Sequence, residues 1–187
     1  MMLILRAPGP LSYGGWIDGL RRGRSFVTNG PLLELAVNGH GPGEVVKVEP
    51  GDAPAVKITG RAESRVPLDR LEVVLNGRVV HTEDARGRRR ASFEFQQTVR
   101  EGGWLALRAL GSSDPQQLGS RAQAHTAPVY LEAGGAAMRP SPEAASKFVD
   151  WIDRLIQLVE MRNNFEKPAQ REEVLRLIRK GREFYAG

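Results

Sequence analysis

The sequence predicts a mainly β fold: an immunoglobulin-like β-sandwich with a short N-terminal helix and a C-terminal α-helical hairpin. Three observations carry that expectation. Between Leu32 and Leu131 apolar and polar residues alternate in short runs, as half-buried antiparallel strands require. Gly, Pro, Asn and Asp break those runs about every 8–12 residues, a spacing that favours a two-layer sandwich over a barrel. Beyond Ser141 the apolar period lengthens from two to three and four, which is helical.

The first element is a short amphipathic helix, with Trp16 and Leu20 at helical core spacing. It runs directly into a strand and the tight turn Thr28-Asn29-Gly30-Pro31. Asn29-Gly30 accommodates unusual backbone angles, and Pro31 favours an extended residue before it. Leu33, Leu35 and Val37 then alternate with Glu34 and Ala36 as far as Asn38-Gly39, and Val46 and Val48 flank Lys47. In the next strand Val56, Ile58, Gly60 and Ala62 share one face, opposite Lys57, Thr59, Arg61 and Glu63. Leu71, Val73 and Leu75 lead to Asn76-Gly77, which suits a type I′ hairpin turn because both residues tolerate positive φ. Arg78 to Thr82 return antiparallel. Phe93, Phe95, Gln97 and Val99 alternate with polar neighbours, Trp104, Leu105 and Leu107 begin a further strand, and Pro128 to Leu131 supplies the last. Gly39-His40-Gly41-Pro42-Gly43 connects strands and opens no helix, so it is no phosphate cradle.

Gly134-Gly135-Ala136-Ala137 reads as a flexible link. Ser141 is then an N-cap candidate, with Pro142 in the first turn and Glu143 near the positive end of the helix dipole. Phe148, Trp151, Ile152, Leu155 and Val159 recur on one face, leaving Lys147, Asp150, Arg154 and Gln157 to solvent. Asn163-Asn164 interrupts, and Pro168 starts a second helix with Val174, Leu177, Ile178 and Tyr185 on its apolar side. The expected organisation is a helix and linker strand over residues 1–31, a sandwich over 32–134, and a hairpin packed on it over 135–187.

With no cysteine, disulfides and thiolate metal sites are excluded. No apolar run approaches the ~20 residues of a membrane helix. Met1-Met2-Leu3-Ile4-Leu5 is too short for a signal-peptide core and meets Arg6 and Pro8 almost at once. The chain as given therefore reads as cytoplasmic, although a parent protein could be exported.

Ordered signatures give the chain a resemblance. They are Gly-Arg-Ser-Phe-Val-Thr-Asn-Gly-Pro at Gly23 to Pro31, Val-Pro-Leu-Asp-Arg-Leu-Glu-Val-Val-Leu-Asn-Gly at Val66 to Gly77, and Gly-Trp-Leu-Ala-Leu-Arg at Gly103 to Arg108. Ala-His-Thr-Ala-Pro-Val-Tyr at Ala124 to Tyr130 and Phe-Val-Asp-Trp-Ile-Asp at Phe148 to Asp153 follow. From about Gly15 onward the chain resembles the C-terminal region of carbaryl-hydrolase-like metallohydrolases, in the polymerase and histidinol phosphatase (PHP) superfamily. The resemblance implies a parent hydrolase whose divalent metals activate water, held by several histidines and carboxylates that commonly begin with a His-x-His pair. Here His40, His81 and His125 are isolated. No catalytic or metal-binding residue is therefore carried onto this chain, and the divalent metal is implied only for a catalytic domain outside it. The implied role is a non-catalytic accessory domain whose partner is a PHP-type catalytic domain, in cis or in trans.

The candidate interface or cleft-facing residues are Thr28, Asn29, Gly30 and Pro31, with His125 and Thr126. Each has a plain structural alternative in turn chemistry or hydrogen bonding. Arg86, Arg88, Arg89 and Arg90 form a basic loop able in principle to contact phosphates, but it lacks interleaved aromatics, so nucleic acid is a weak reading. His40 and His81 read as surface residues. Asp150 and Asp153 could share a helix face, without histidine support for a metal. Trp16, Trp104 and Trp151 could stack on a sugar, which keeps a carbohydrate or cell-surface ligand module as an alternative, although their spacing favours packing. Trp16, Phe26, Phe148, Trp151 and Phe184 are candidates for docking or core, and self-association follows if such a surface stays exposed.

Overall fold

The computed structural model describes residues 2–5, 12–49, 51, 54–115, 119–133, 141–162 and 164–186. The Gly134-Gly135-Ala136-Ala137 link and Asn163 lie outside them. In chain order the elements are β1 (Met2–Leu5), α1 (Tyr13–Arg21), β2 (Ser25–Thr28), β3 (Leu32–Val37), β4 (Val45–Val48), β5 (Ala55–Glu63) and β6 (Leu68–Leu75). Then come β7 (Arg78–Asp84), β8 (Arg90–Thr98), β9 (Gly103–Ser113), β10 (Arg121–Thr126), β11 (Val129–Ala133), α2 (Pro142–Arg162) and α3 (Pro168–Ala186). The chain divides into two compact units, Met1–Met138 and Arg139–Gly187.

The first unit holds two β-sheets. The smaller is antiparallel, in the order β3-β5-β8. The larger is organised by β9. One edge of β9 carries β6 and then β7; the other is shared, first by β10 and then by β11. β10 extends the sheet to β2 and β1, whereas β11 pairs in parallel with β4. The segment before residue 32 is thus part of the larger sheet through β2.

Period-two patterning puts one face of most strands between the sheets, where burial of branched side chains supplies the main driving force. Leu33, Leu35, Val37, Val56 and Ile58 come from the smaller sheet, and Leu71, Val73, Leu105, Leu107 and Leu131 from the larger. Burial alternates along β5, as the sequence predicts. Gly60 lies opposite Phe93 in that sheet, and an added Cβ would overlap the Phe93 ring, so the aromatic fills the space that glycine leaves.

Asn38 and Gly39 have φ of 49° and 85°, and Asn76 and Gly77 have 48° and 82°. Both pairs make the tight turns expected of them. The strand that Trp104, Leu105 and Leu107 begin, β9, runs on to Ser113, and the strand expectations need two corrections: β1 and β10 form where none was expected. His81, expected at the surface, is half-buried: its imidazole stacks on Phe95 at 4.2 Å and tilts against Phe93 at 4.9 Å, with Nε2 buried and without a hydrogen-bond partner among the described residues.

In the second unit Ser141 caps α2, its Oγ accepting from the Ala144 N–H at 3.2 Å. Phe148 stacks on Tyr185 at 4.8 Å, Asp153 accepts two bonds from Arg182 at 2.6 and 3.2 Å, and Glu160 meets Arg179 at 3.4 Å. These pairings run in opposite directions along the two helices, so α2 and α3 are antiparallel. The apolar faces, however, are not all covered. Trp151 is 65% exposed, Leu177 72% and Phe184 80%, and Phe148 and Leu155 are exposed as well. Helical spacing predicts a stripe but not what lies on it.

Candidate functional site

The six predicted interface residues converge on the β2–β10 pair. Thr28 pairs with Ala124, and its buried hydroxyl donates to the Pro31 carbonyl at 2.6 Å while accepting from the Gly30 N–H at 2.8 Å. Asn29 continues the ladder with its side chain. Its Oδ1 accepts from the Gln123 N–H at 2.7 Å, its Nδ2 donates to the Arg121 carbonyl at 2.8 Å, and its own N–H donates to the Gln123 carbonyl at 3.1 Å. Pro31 is fully buried. The Thr28 hydroxyl closes this bend and Asn29 ties it to β10, but neither Asn29 nor Gly30 takes a positive φ, so the unusual backbone angles expected of that pair are not adopted.

Thr126 is also buried. Its Oγ1 accepts from the Leu107 N–H at 3.0 Å, at the point where the neighbour of β9 changes from β10 to β11. A strand break inside a sheet orphans backbone donors, and this hydroxyl satisfies one. His125 points the other way, onto the exposed outer face, across from Arg108 on β9 and Val27 on β2.

The same outer face carries a cluster that the sequence analysis missed. Glu72 on β6 is only 6% exposed although its face is turned to solvent. Arg70 Nε donates to its Oε1 at 2.6 Å, and Arg108 Nε to its Oε2 at 2.6 Å. Arg70 and Glu72, two apart on one strand, were the only local signal. Burial raises the affinity of the Glu72 carboxyl for a proton, but the hydrogen bonds and charges of Arg70 and Arg108 outweigh it and hold the group below its ordinary value of 4.5. A lowered carboxyl stabilises the fold above its unfolded-state value, and that contribution disappears as pH falls through the folded-state value. Glu72→Gln is accordingly expected to be less stable than the native chain at pH 7, with the gap closing below about pH 4.5. Paired urea melts from pH 7 to pH 3 check this; a gap that does not change with pH rejects it.

The basic loop is largely compensated. Arg86 and Gly87 form a turn with φ of 51° and 72°. Arg86 lies 3.9 Å from Asp84, Arg88 3.7 Å from Glu83, and Arg90 2.7 Å from Glu63. Arg89 is exposed and makes no salt bridge among the described residues. Interleaved carboxylates lower the positive potential that phosphate binding draws on.

Elsewhere, His40 is exposed, with Nδ1 3.6 Å from Glu44. Asp153 is engaged by Arg182, and Asp150 is exposed. Phe26 packs against the sandwich core. α1 behaves differently: Tyr13 is 81% exposed, Trp16 39% and Leu20 39%, while Gly19 is the helix's buried residue. Among the described residues no group of three or more His, Cys, Asp or Glu side chains is placed to hold a metal ion. No helix among them is long and apolar enough to cross a membrane.

No protein-family model matches this chain, and no curated protein matches it. Any functional reading therefore rests on the residues and their geometry.

Proposed function

We propose that this chain is a non-catalytic accessory domain of a PHP-type metal-dependent hydrolase, docking on the catalytic domain in cis or in trans. The observation that carries the reading is α1. Its Tyr13, Trp16 and Leu20 follow helical spacing and leave one apolar face exposed, on an element that leads directly into the larger sheet. Arg24 N–H bonds the Gly19 carbonyl at 3.0 Å, and β2 continues from there into the ladder with β10. An aromatic face presented on a helix, and not on a loop, suits docking, because less ordering entropy is lost on binding.

The sandwich is read as immunoglobulin-like. The β3-β5-β8 sheet follows the order of strands A, B and E, and β6-β9-β11 that of C, F and G. The divalent metal belongs to the partner in this reading, and the domain contributes stability and shape to the complex.

Titration calorimetry against the catalytic domain of a carbaryl-hydrolase-like enzyme tests the reading. Binding is expected, and Trp16→Glu should weaken it at least about tenfold, the scale of a buried aromatic anchor. Absence of heat at high concentration, with both proteins folded, removes the proposal.

A further inference from the structure

We propose that the α2–α3 hairpin is half of a four-helix bundle that a second copy of this chain completes. The argument starts from the two apolar seams on each helix. On α2, Ala145, Val149, Ile152, Ile156 and Val159 recur at intervals of four and three and are half-buried, on the side of Asp153 and its partner Arg182. A second seam, Phe148, Trp151, Leu155 and Leu158, recurs at intervals of three, four and three and is exposed throughout. α3 repeats the arrangement. Leu175 and Ile178 turn inward, while Val174, Leu177, Gly181 and Phe184 form a second seam whose Leu177 and Phe184 are exposed.

A helix with one neighbour needs one such seam. Two seams at heptad spacing belong to a helix with two neighbours, as in a bundle. The exposed seams of both helices lie on one side of the hairpin. Trp151, Phe148, Tyr185 and Phe184 form an unbroken ring contact across it, with successive centroids 6.0, 4.8 and 5.2 Å apart. The opposite side carries Ser146, Gln157, Glu172, Arg176 and Glu183, all exposed.

A second copy fits this face in size and chemistry. α2 has 21 residues and α3 has 19. That makes a face about 30 Å long and about 20 Å wide, near 600 Å² on each copy. Two such faces bury about 1,200 Å², the lower end of stable specific interfaces. The interface is isologous: each copy offers the same apolar seams, and packing them face to face leaves the charged side of both hairpins in water. The α2–α3 face is separate from the α1 face of the docking proposal, and the two stand or fall independently.

Sedimentation equilibrium on the full chain, from about 1 to about 100 µM, is the test. The native chain is expected as a dimer, and Leu155→Glu should weaken self-association at least about thirtyfold. Leu177→Glu, on the other helix, should do the same. Far-UV circular dichroism checks that the hairpin stays folded, and if Leu155→Glu melts it, Leu177→Glu decides. A native chain that sediments as a monomer throughout overturns the proposal, whatever else covers the face, as does a dimer that both variants leave intact.

Discussion

Gly43→Ala is expected to cost about 2–6 kcal/mol, the sum of a left-handed backbone penalty and a steric overlap. Against a total stability of about 5–15 kcal/mol, such a loss leaves much of the chain unfolded at moderate temperature. Gly43 has φ of 84°, and an added Cβ would overlap the Arg22 carbonyl oxygen while lying 2.8 Å from Arg22 C and 2.9 Å from Gly23 C. Neither side can yield cheaply. Arg22 N–H and Gly23 N–H close the end of α1 on the Asp18 and Leu20 carbonyls, and Gly43 N–H bonds the Pro128 carbonyl at 2.8 Å. The backbone after β3 is therefore pinched between α1 and the segment joining β10 to β11. Gly39→Ala is the control: φ is 85°, but nothing lies within 4 Å of the added carbon. Only the backbone penalty applies there, about 1–3 kcal/mol. Urea denaturation of both variants measures the difference, and equal losses would refute the close-approach argument.

Leu107→Ala is expected to cost about 3–5 kcal/mol, the upper part of the range for leucine truncation in a core. Leu107 is fully buried near the middle of β9, opposite Val73 on β6, and its N–H is held by Thr126. A strand fixed along both edges cannot move inward to fill the space of the lost side chain, so the cavity persists. Thermal and urea melts report the loss, and the urea slope should be unchanged because the unfolded chain exposes nearly the same area. A cost under about 1 kcal/mol would contradict a core shared by the two sheets.

Much of the fold is legible in local sequence. Asn38-Gly39 and Asn76-Gly77 specify their turns because both residues in each pair accept positive φ. β5 announces its inward face through alternation, and Ser141-Pro142-Glu143 announces a helix start. β10 escaped notice because its inward residues, Ala122 and Ala124, carry too little apolar surface to register as a strand face. β1 escaped because its four residues give a period of two almost no length in which to repeat. Trp16 and Trp151 show a different gap: their spacing correctly marks an apolar stripe, yet both stripes are exposed in the chain itself.

The candidate site divides along the same line. Thr28, Asn29, Gly30 and Pro31 are readable as a turn because their bonds with one another span two or three residues. The attachment of Asn29 to β10 spans more than ninety. The Glu72 clamp joins residues 36 apart, and nothing near either one announces the other.

Side-chain periodicity, turn conformations and helix caps depend on atoms within a few positions along the chain, so the amino-acid order alone specifies them. The partner of Glu72, the division of one edge of β9 between β10 and β11, and the pinch at Gly43 depend on strand register. Register is selected by burial summed over two whole sheets, in which each local preference is one small contribution, and it exists only once the chain has folded.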